Sequence, residues 1–370
     1  MVSSTSTSLT LRILLEQAAR RAGLSARRRS TSGLSPSAAA FFAAIVTSES
    51  RTVLVVPTEG ILEQMLSDVR FFLSCLEDLS TDDLERQVIP FPSHEVDPYR
   101  GLTPHLDVVA TRARTLRAMA LGNARVVVTS VAALLPRVSP PERLLTASIK
   151  LEKGENFSLT RLVDLLIDAG FTREDPVDQH GEFSVRGGLV DFFPADDHSP
   201  TRIEFVDDAI ESIRHYDPTT QLSTIPLDRT EVVAIREVFE DQISKGEIGS
   251  ENGVGTSSFF DYLGRGCQER ILSFEPEEIK SQGEKIVARI QVSHNEAVQH
   301  GKCVSPPEQL LVDWSEVEQW LGTATQLTQL GVDDIHGNVP EHESDRIPCQ
   351  SAREFRGRLS DWVADVRQNH

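Results

Sequence analysis

The chain has 370 residues, enough for two or three hydrophobic cores rather than one. Its 39% hydrophobic and 25% charged content excludes a disordered tail, and the absence of any apolar run of bilayer length excludes a membrane-spanning protein. With 56 acidic against 37 basic residues, net charge -19, a general grip on a phosphate backbone is excluded as well, and nucleic-acid contact would have to be local.

The first thirty residues are poor in acids and carry Arg20, Arg21, Arg27, Arg28 and Arg29, a superficial likeness to an organellar transit peptide. The reading adopted is a Ser/Thr leader followed by a surface helix from Leu9 to Arg21, with Leu11, Leu14, Leu15 and Ala18 on one face. Two β-branched runs, Thr52 to Val56 and Arg125 to Thr129, predict strands buried on both faces of a parallel sheet. Between them, Ile61, Met65, Leu66, Val69, Phe72, Leu73 and Leu76 recur at helical spacing, as does the stretch Leu106 to Leu121. Such alternation predicts an α/β layer. Val88-Ile-Pro-Phe-Pro-Ser-His-Glu-Val-Asp-Pro-Tyr99 starts like a strand and then has too many prolines for a helix, so it reads as an ordered crossing loop.

Near Ala147 the texture changes to short alternating strands, with one helix at Leu159 to Ala169 ended by Gly170. Phe183 to Arg186 and Leu189 to Phe193 flank Gly187-Gly188, a pair suited to a hairpin that needs positive φ. Thr201 to Val206 and Ala209 to Tyr216 predict a second hairpin about Asp207-Asp208. From about Glu237 the pattern turns helical, with Ser244 to Ser258 read as a mobile loop, Val332 to Pro348 as a polar stretch, and Phe355, Leu359, Trp362 and Val366 as a final amphipathic segment.

Catalytic patterns do not emerge. A phosphate loop needs wrapping glycines, a lysine and a Ser/Thr for magnesium. The Gly301-Lys302 pair is followed by Cys303 and lacks the earlier glycine. Ser32-Gly-Leu-Ser-Pro-Ser-Ala-Ala39 stands where such a loop would lie, but it has no lysine and Pro36 removes an N–H, so it reads as a degenerate relic. HExxH, GxSxG and GxGxxG are missing, and His94 and His105 read as loop or surface residues. Glu275, Glu277 and Glu278 read as a solvated helix start, and Asp97-Pro98-Tyr99 as a side-chain turn. The four cysteines, Cys75, Cys267, Cys303 and Cys349, lie too far apart in sequence to suggest a disulfide framework or a zinc site, and a reducing cytoplasm is the expected compartment.

Two stretches resemble a known family. Phe91-Pro-Ser-His-Glu-Val-Asp-Pro-Tyr99, followed by Asp107 and Arg112-Ala-Arg-Thr-Leu-Arg117, looks like the first domain of bacterial transcription-repair coupling factors. His180-Gly-Glu-Phe-Ser-Val-Arg-Gly-Gly-Leu-Val-Asp-Phe-Phe-Pro194, Arg202-Ile-Glu-Phe-Val-Asp-Asp-Ala-Ile-Glu-Ser-Ile-Arg214 and Asp217-Pro-Thr-Thr-Gln-Leu-Ser223 resemble their second domain, shared with the excinuclease B subunit. Phe259-Phe-Asp-Tyr-Leu263 through Ile279 agrees more loosely with the part that follows.

The resemblance implies a degenerate RecA-like parallel-sheet lobe, lacking its phosphate loop, interrupted by an inserted α+β domain with antiparallel hairpins. The expected division is residues 1–145 for the first half of the lobe, 146–236 for an inserted domain that docks on the excinuclease A subunit, 237–345 for the second part of the lobe, and 346–370 for a linker and the start of a truncated next domain. It implies a DNA-repair interaction module without catalytic activity of its own. No cofactor is expected here; ATP and magnesium, like RNA polymerase and double-stranded DNA, belong to the full-length parent. No membrane partner is expected.

By motif position the family's docking arginines fall on Arg186 and Arg202, and its docking aromatic on Val206, where many relatives carry Phe. That departure would bury less apolar area and weaken the contact by about 1 kcal/mol. Strand alternation agrees in placing Arg202, Glu204 and Val206 on one side, with Ile203 and Phe205 on the other, and Phe183 and Val185 opposite Ser184 and Arg186. The competing reading is that each arginine pairs with a local acid, for instance Arg202 with Glu204 or Asp208.

Phe355-Arg-Gly-Arg-Leu-Ser-Asp-Trp-Val363 resembles the opening of the next domain, and the chain stops at His370. The expectation is a fragment without translocation or polymerase release, whose docking face lacks the family's C-terminal cover. The alternative class is an ATP-dependent helicase or translocase fragment whose nucleotide site lies in a missing C-terminal half or another chain. Direct binding to damaged DNA would need a basic stripe with exposed aromatics, against which stand the acidic balance and 6% aromatic content.

Overall fold

A computed structural model describes residues 10–24, 29–48, 50–195, 197, 199–239, 255–264, 269–329, 345–347 and 349. In chain order they form α1 (Leu11–Arg21), β1 (Ser30–Ser32), α2 (Pro36–Val46), β2 (Arg51–Val56), α3 (Glu59–Glu77), α4 (Thr81–Gln87), β3 (Val88–Phe91), α5 (Leu106–Leu121), β4 (Val126–Ser130), α6 (Val131–Leu134) and α7 (Pro141–Thr146). There follow β5 (Ile149–Glu152), α8 (Leu159–Ala169), β6 (Thr172–Arg173), β7 (Glu182–Arg186), β8 (Leu189–Phe192), β9 (Thr201–Val206), β10 (Ala209–Tyr216), β11 (Ser223–Leu227) and β12 (Arg229–Val232). A 3-10 turn at Phe259–Tyr262 precedes β13 (Glu269–Phe274), α9 (Pro276–Gln299), α10 (Pro307–Leu310), α11 (Trp314–Gly322), β14 (Thr325–Thr328) and β15 (Asp345–Arg346).

The β-branched runs occupy the middle of a seven-stranded sheet in the order β15-β1-β14-β13-β2-β4-β3, and every pairing given for it is parallel. Alternation along β2 explains why its sequence is apolar throughout. Val53 and Val55 face one core, with Ala113 and Leu116 of α5, while Leu54 and Val56 face the other, with Met65 and Val69 of α3. Pro90, which has no N–H to give a ladder, sits in the outermost strand β3. The fold is thus α/β, with a parallel lobe interrupted by a separate sheet that is antiparallel except for the parallel β6–β7 pair, and by an antiparallel two-stranded sheet.

The chain leaves the parallel sheet after β4 and returns to it at β13, which pairs with β2 through Leu272 and Leu54. Between them lies a six-stranded sheet ordered β11-β10-β9-β8-β7-β6, and a two-stranded strap in which β5 and β12 pair antiparallel, Ile149 opposite Val232. On its inner face Val185, Val190, Ile203 and Ile213 lie in register across β7 to β10. Buried residues of this sheet and of the parallel lobe belong to one continuous apolar cluster.

One polar junction sits where the insert ends. Arg112 of α5 and Glu237 are both buried. Arg112 Nε donates to both Glu237 oxygens at 2.8 Å, and its Nη1 donates to the Pro92 and Ala133 carbonyls at 2.6 and 3.2 Å. His94 Nε2 stands 2.8 Å from Glu237 Oε1, and the guanidinium lies 4.0 Å over the Phe91 ring. Burial alone would raise the Glu237 carboxyl, but Arg112 and His94 outweigh it and hold it below the ordinary value.

Several sequence expectations need correction. The face of α1 turned inward is Leu15, Ala19 and Ala22, while Leu11 and Leu14 are exposed, because the helix packs through a stripe one residue round from the predicted one. The wholly helical reading after Glu237 misses β13 and β14, and β1 was not anticipated; β1 and β14 are too short and too polar to stand out. His94 is a structural partner of Glu237 rather than a surface residue. Of the glycine pair, only Gly187 has positive φ, 60°. The leader, Arg27, Arg28, Cys267, most of the 244–258 loop and of the 332–348 stretch, and the 355–366 segment lie outside the described residues.

Removing either member of the buried pair strands the other charge. Arg112→Met or Glu237→Gln is expected to lower stability at neutral pH by about 3–5 kcal/mol, read from urea midpoints. Because the Glu237 carboxyl is held low, the stability its ionised form contributes is complete above the ordinary carboxylate range and is lost as pH falls through the lowered value. Glu237→Gln should therefore also flatten the acid limb of a stability-against-pH curve.

Candidate protein-docking face

The outer face of the six-stranded sheet is organised by one carboxylate. Asp191 on β8 is 1% exposed and pairs in register with Ser184 of β7 on one side and Arg202 of β9 on the other. Arg202 meets it bidentately, Nε to Oδ1 at 2.7 Å and Nη2 to Oδ2 at 2.8 Å. The guanidinium also lies 4.4 Å over the Tyr216 ring, and its Nη1 donates to the Gln221 carbonyl at 3.2 Å. The hydrogen bonds to Asp191 raise the Arg202 pKa, so its charge is permanent. Burial, then Asp191, pushes the Tyr216 phenol up, and its hydroxyl donates to the Val177 carbonyl at 3.3 Å.

Arg186 approaches Asp191 from the end of β7, with Nη2 donating to Oδ2 at 2.7 Å. Gln221 Oε1 lies 3.5 Å from Arg186 Nη2 and 3.4 Å from Arg202 Nη2, bridging the pair, and Gln221 Nε2 donates to the Pro218 carbonyl at 2.8 Å. The tight β7–β8 turn makes this possible. Gly187 takes a left-handed conformation, and a Cβ on Gly188 would stand 2.7 Å from the Phe205 carbonyl oxygen.

The two sequence-predicted arginines therefore stand side by side on one carboxylate, but they are unequal. The Arg186 side chain is 41% exposed and that of Arg202 only 12%. The local acid is Asp191; Glu204 instead accepts from Ser212 and Arg214, each at 3.1 Å, and so does not take Arg202. Val206, 54% exposed, points outward from the same strand as Arg202. Four residues along that strand separate them, about 13 Å, so Val206 lies on the face without joining the cluster. Sequence reasoning missed Asp191, Gln221 and Tyr216. Half of the Asp191 environment was accessible to it, because the Gly187-Gly188 turn fixes the β7–β8 register that puts Asp191 beside Ser184; the β8–β9 pairing that adds Arg202 is made across a longer connection.

The stretch Ser32 to Ala39, which reads in the sequence as a degenerate phosphate loop, is a tight connection from β1 to α2. Leu34 N donates to the Thr328 carbonyl at 3.0 Å, Ala38 N to the Ser35 hydroxyl at 3.3 Å and Ala39 N to the Ser35 carbonyl at 2.9 Å, while Ser37 Oγ donates to Asp68 at 2.7 Å. The Leu34 side chain is buried in the adjoining core. Among the described residues no group of His, Cys, Asp and Glu is arranged to hold a metal ion, and no helix is long and apolar enough to cross a membrane.

Residues 149–237, which include every strand of this face, match the family described as the UvrB interaction domain. The chain is 27% identical over 290 residues to the transcription-repair-coupling factor of Haemophilus influenzae, covering 68% of this chain and 24% of that protein. Identity is 30% over 173 residues with the Escherichia coli factor, covering 47% of this chain and 15% of that protein, and 32% over 187 residues with that of Myxococcus xanthus, covering 50% and 15%. The matched stretches thus span a quarter or less of these relatives' length.

Asp191→Asn removes the charge that two arginines share at a buried position. Stability is expected to fall by about 3 kcal/mol or more in urea unfolding, whereas Glu204→Gln, on the same face but half-exposed, should cost under about 1 kcal/mol.

Proposed function

From the relationship to the N-terminal region of transcription-repair coupling factors, we propose that this chain is a docking module that recruits the excinuclease A subunit in transcription-coupled nucleotide excision repair. The observation that carries this reading is the pairing of Arg186 and Arg202 on Asp191, on the outer face of the sheet that lies within the UvrB interaction domain match. Arginine suits the role because a planar fork offers parallel donors to a carboxylate, and fixing the fork beforehand reduces the entropy lost on binding. Val206 adds an apolar neighbour on the same side of the sheet.

On this reading residues 146–236 are the docking unit, residues 1–145 and 237–345 are the lobe that carries it, and residues 346–370 lead onward. The sharing of one parallel sheet by β2, β4 and β13 supports that division. RNA polymerase, double-stranded DNA, ATP and magnesium are assigned to the remainder of a full-length protein of the relatives' size. The chain itself is assigned no catalytic step, in keeping with the missing lysine of the β1–α2 corner and with Leu34 N and Ala38 N being given to internal acceptors.

Affinity for purified excinuclease A subunit, measured by biolayer interferometry, tests the reading. Arg186→Ala should weaken binding by about tenfold or more while still melting as a folded protein; full affinity in the variant would overturn the proposal. Val206→Phe should tighten binding about fivefold, matching roughly 1 kcal/mol of added apolar contact. Titration with ATP and magnesium in a calorimeter should give no binding heat, and a saturable heat would move the chain into the nucleotide-dependent class.

A further inference from the structure

The two arginines differ in what they have left to give. Arg202 is largely spent, with Nε and Nη2 on Asp191, Nη2 also on Gln221 Oε1, Nη1 on the Gln221 carbonyl and its plane against Tyr216. Arg186 spends only Nη2, on Asp191 and Gln221. Among the described residues no hydrogen bond reaches Arg186 Nε or Nη1, and the side chain is part-exposed. One acid stands before that edge: Asp175 Oδ1 lies 3.7 Å from Arg186 Nη1, beyond a direct hydrogen bond, on a side chain that is 58% exposed.

The charge count on this patch makes the arrangement informative. Two guanidinium groups share one buried carboxylate, which leaves one positive charge uncompensated, and among the described residues the loose counter-charge beside it is Asp175. Asp191 cannot be displaced by a partner, because it is buried and receives three short hydrogen bonds. Asp175 can, because a long, solvated pair contributes only about 0.2–1 kcal/mol.

We propose that the Nε/Nη1 edge of Arg186 receives one carboxylate from the docking partner, and that Asp175 is a built-in competitor that the incoming acid must displace. This rests on the docking function proposed above and names the chemistry it selects: an acidic side chain presented singly on the partner's surface. Arg202 is then a positioning residue, acting through Asp191 and Gln221 to hold Arg186 in place. The competitor also screens the patch, so that acids which do not fit the edge gain little from the excess positive charge.

The test compares four forms of the whole chain against the excinuclease A subunit: wild type, Asp175→Asn, Arg186→Ala and the double variant, each checked by thermal melting. Asp175→Asn should tighten binding about two- to fivefold at low salt, with the gain shrinking as ionic strength rises. In the Arg186→Ala background the same change should have no effect, since the competed edge is gone. Should Asp175→Asn leave affinity unchanged or weaken it while Arg186→Ala still weakens it, the competitor assignment fails and the docking function stands. Should Arg186→Ala also bind normally, the docking function itself fails. Asp175→Ser guards against an effect peculiar to asparagine and is expected to behave as Asp175→Asn does.

Discussion

A guanidinium and a carboxylate shut away from water determine how the two halves of this molecule meet. Arg112 belongs to the helix that covers the parallel sheet, and Glu237 lies at the point where the chain emerges from the inserted sheet. Burying either alone would cost several kcal/mol, so each is tolerable only in the other's presence, although Arg112 Nη2 is left without a hydrogen-bond partner among the described residues. Pro92 and Ala133 supply carbonyls to the guanidinium, and His94 supplies a second contact to the carboxylate. The geometry admits one placement of residue 237 against α5. Part-buried pairs also join the chain here, Arg117 with Glu231 and Arg143 with Asp168, and the β5–β12 strap ties the two passages of the chain together. The insert is therefore continuous in its packing with the lobe rather than hung from it.

The same physics recurs at smaller scale on the outer sheet. Asp191 orders two arginines by giving up its own solvation, and it leaves one of them with donors to spare. A site built in this way loses some electrostatic attraction, since half its positive charge is cancelled internally, but it gains fixed geometry. Tyr216 and Gln221 reinforce the geometry from the side of β10 and the turn that follows it. A rigid mount behind the sheet and a preset guanidinium on its surface act in one direction: little has to be ordered when a partner arrives.

The elements with strong periodicity were legible in the sequence. β2, β4, α3, α5, α8 and both hairpins fall within a residue or two of where hydrophobic spacing puts them, because each buries a face defined by its own residues. What escaped were features defined by other parts of the chain. β1 and β14 carry Thr, Ser and Gln, and become strands because they complete a sheet nucleated elsewhere. His94 reads as a loop residue until residue 237 is brought beside it. Arg186 and Arg202 were identified through a family pattern, and alternation gave their side of the sheet, but the acid they share required the cross-strand register. The Gly187-Gly188 turn encodes the β7–β8 half of that register, but the β8–β9 half, which brings Arg202 to Asp191, depends on a longer connection with no such local signal.

The β1–α2 corner sharpens what the parallel lobe contributes. A strand, a short loop and a helix start in that order present free N–H groups only if nothing nearby accepts them. Here the loop is pulled tight. Leu34 N reaches across to the Thr328 carbonyl and its side chain enters the core, Ser35 caps the helix with its own hydroxyl, and Pro36 brings no N–H at all. Ser37 then fastens the first turn of α2 to Asp68 of α3. Leu34 N and Ala38 N, two groups that an anion would need, are thus used in holding the corner. The corner joins β1, β14, α2 and α3, and so stabilises the face of the sheet opposite to the one that carries Arg112. The lobe is braced on one side by that corner and on the other by the buried ion pair, an arrangement suited to bearing the inserted sheet.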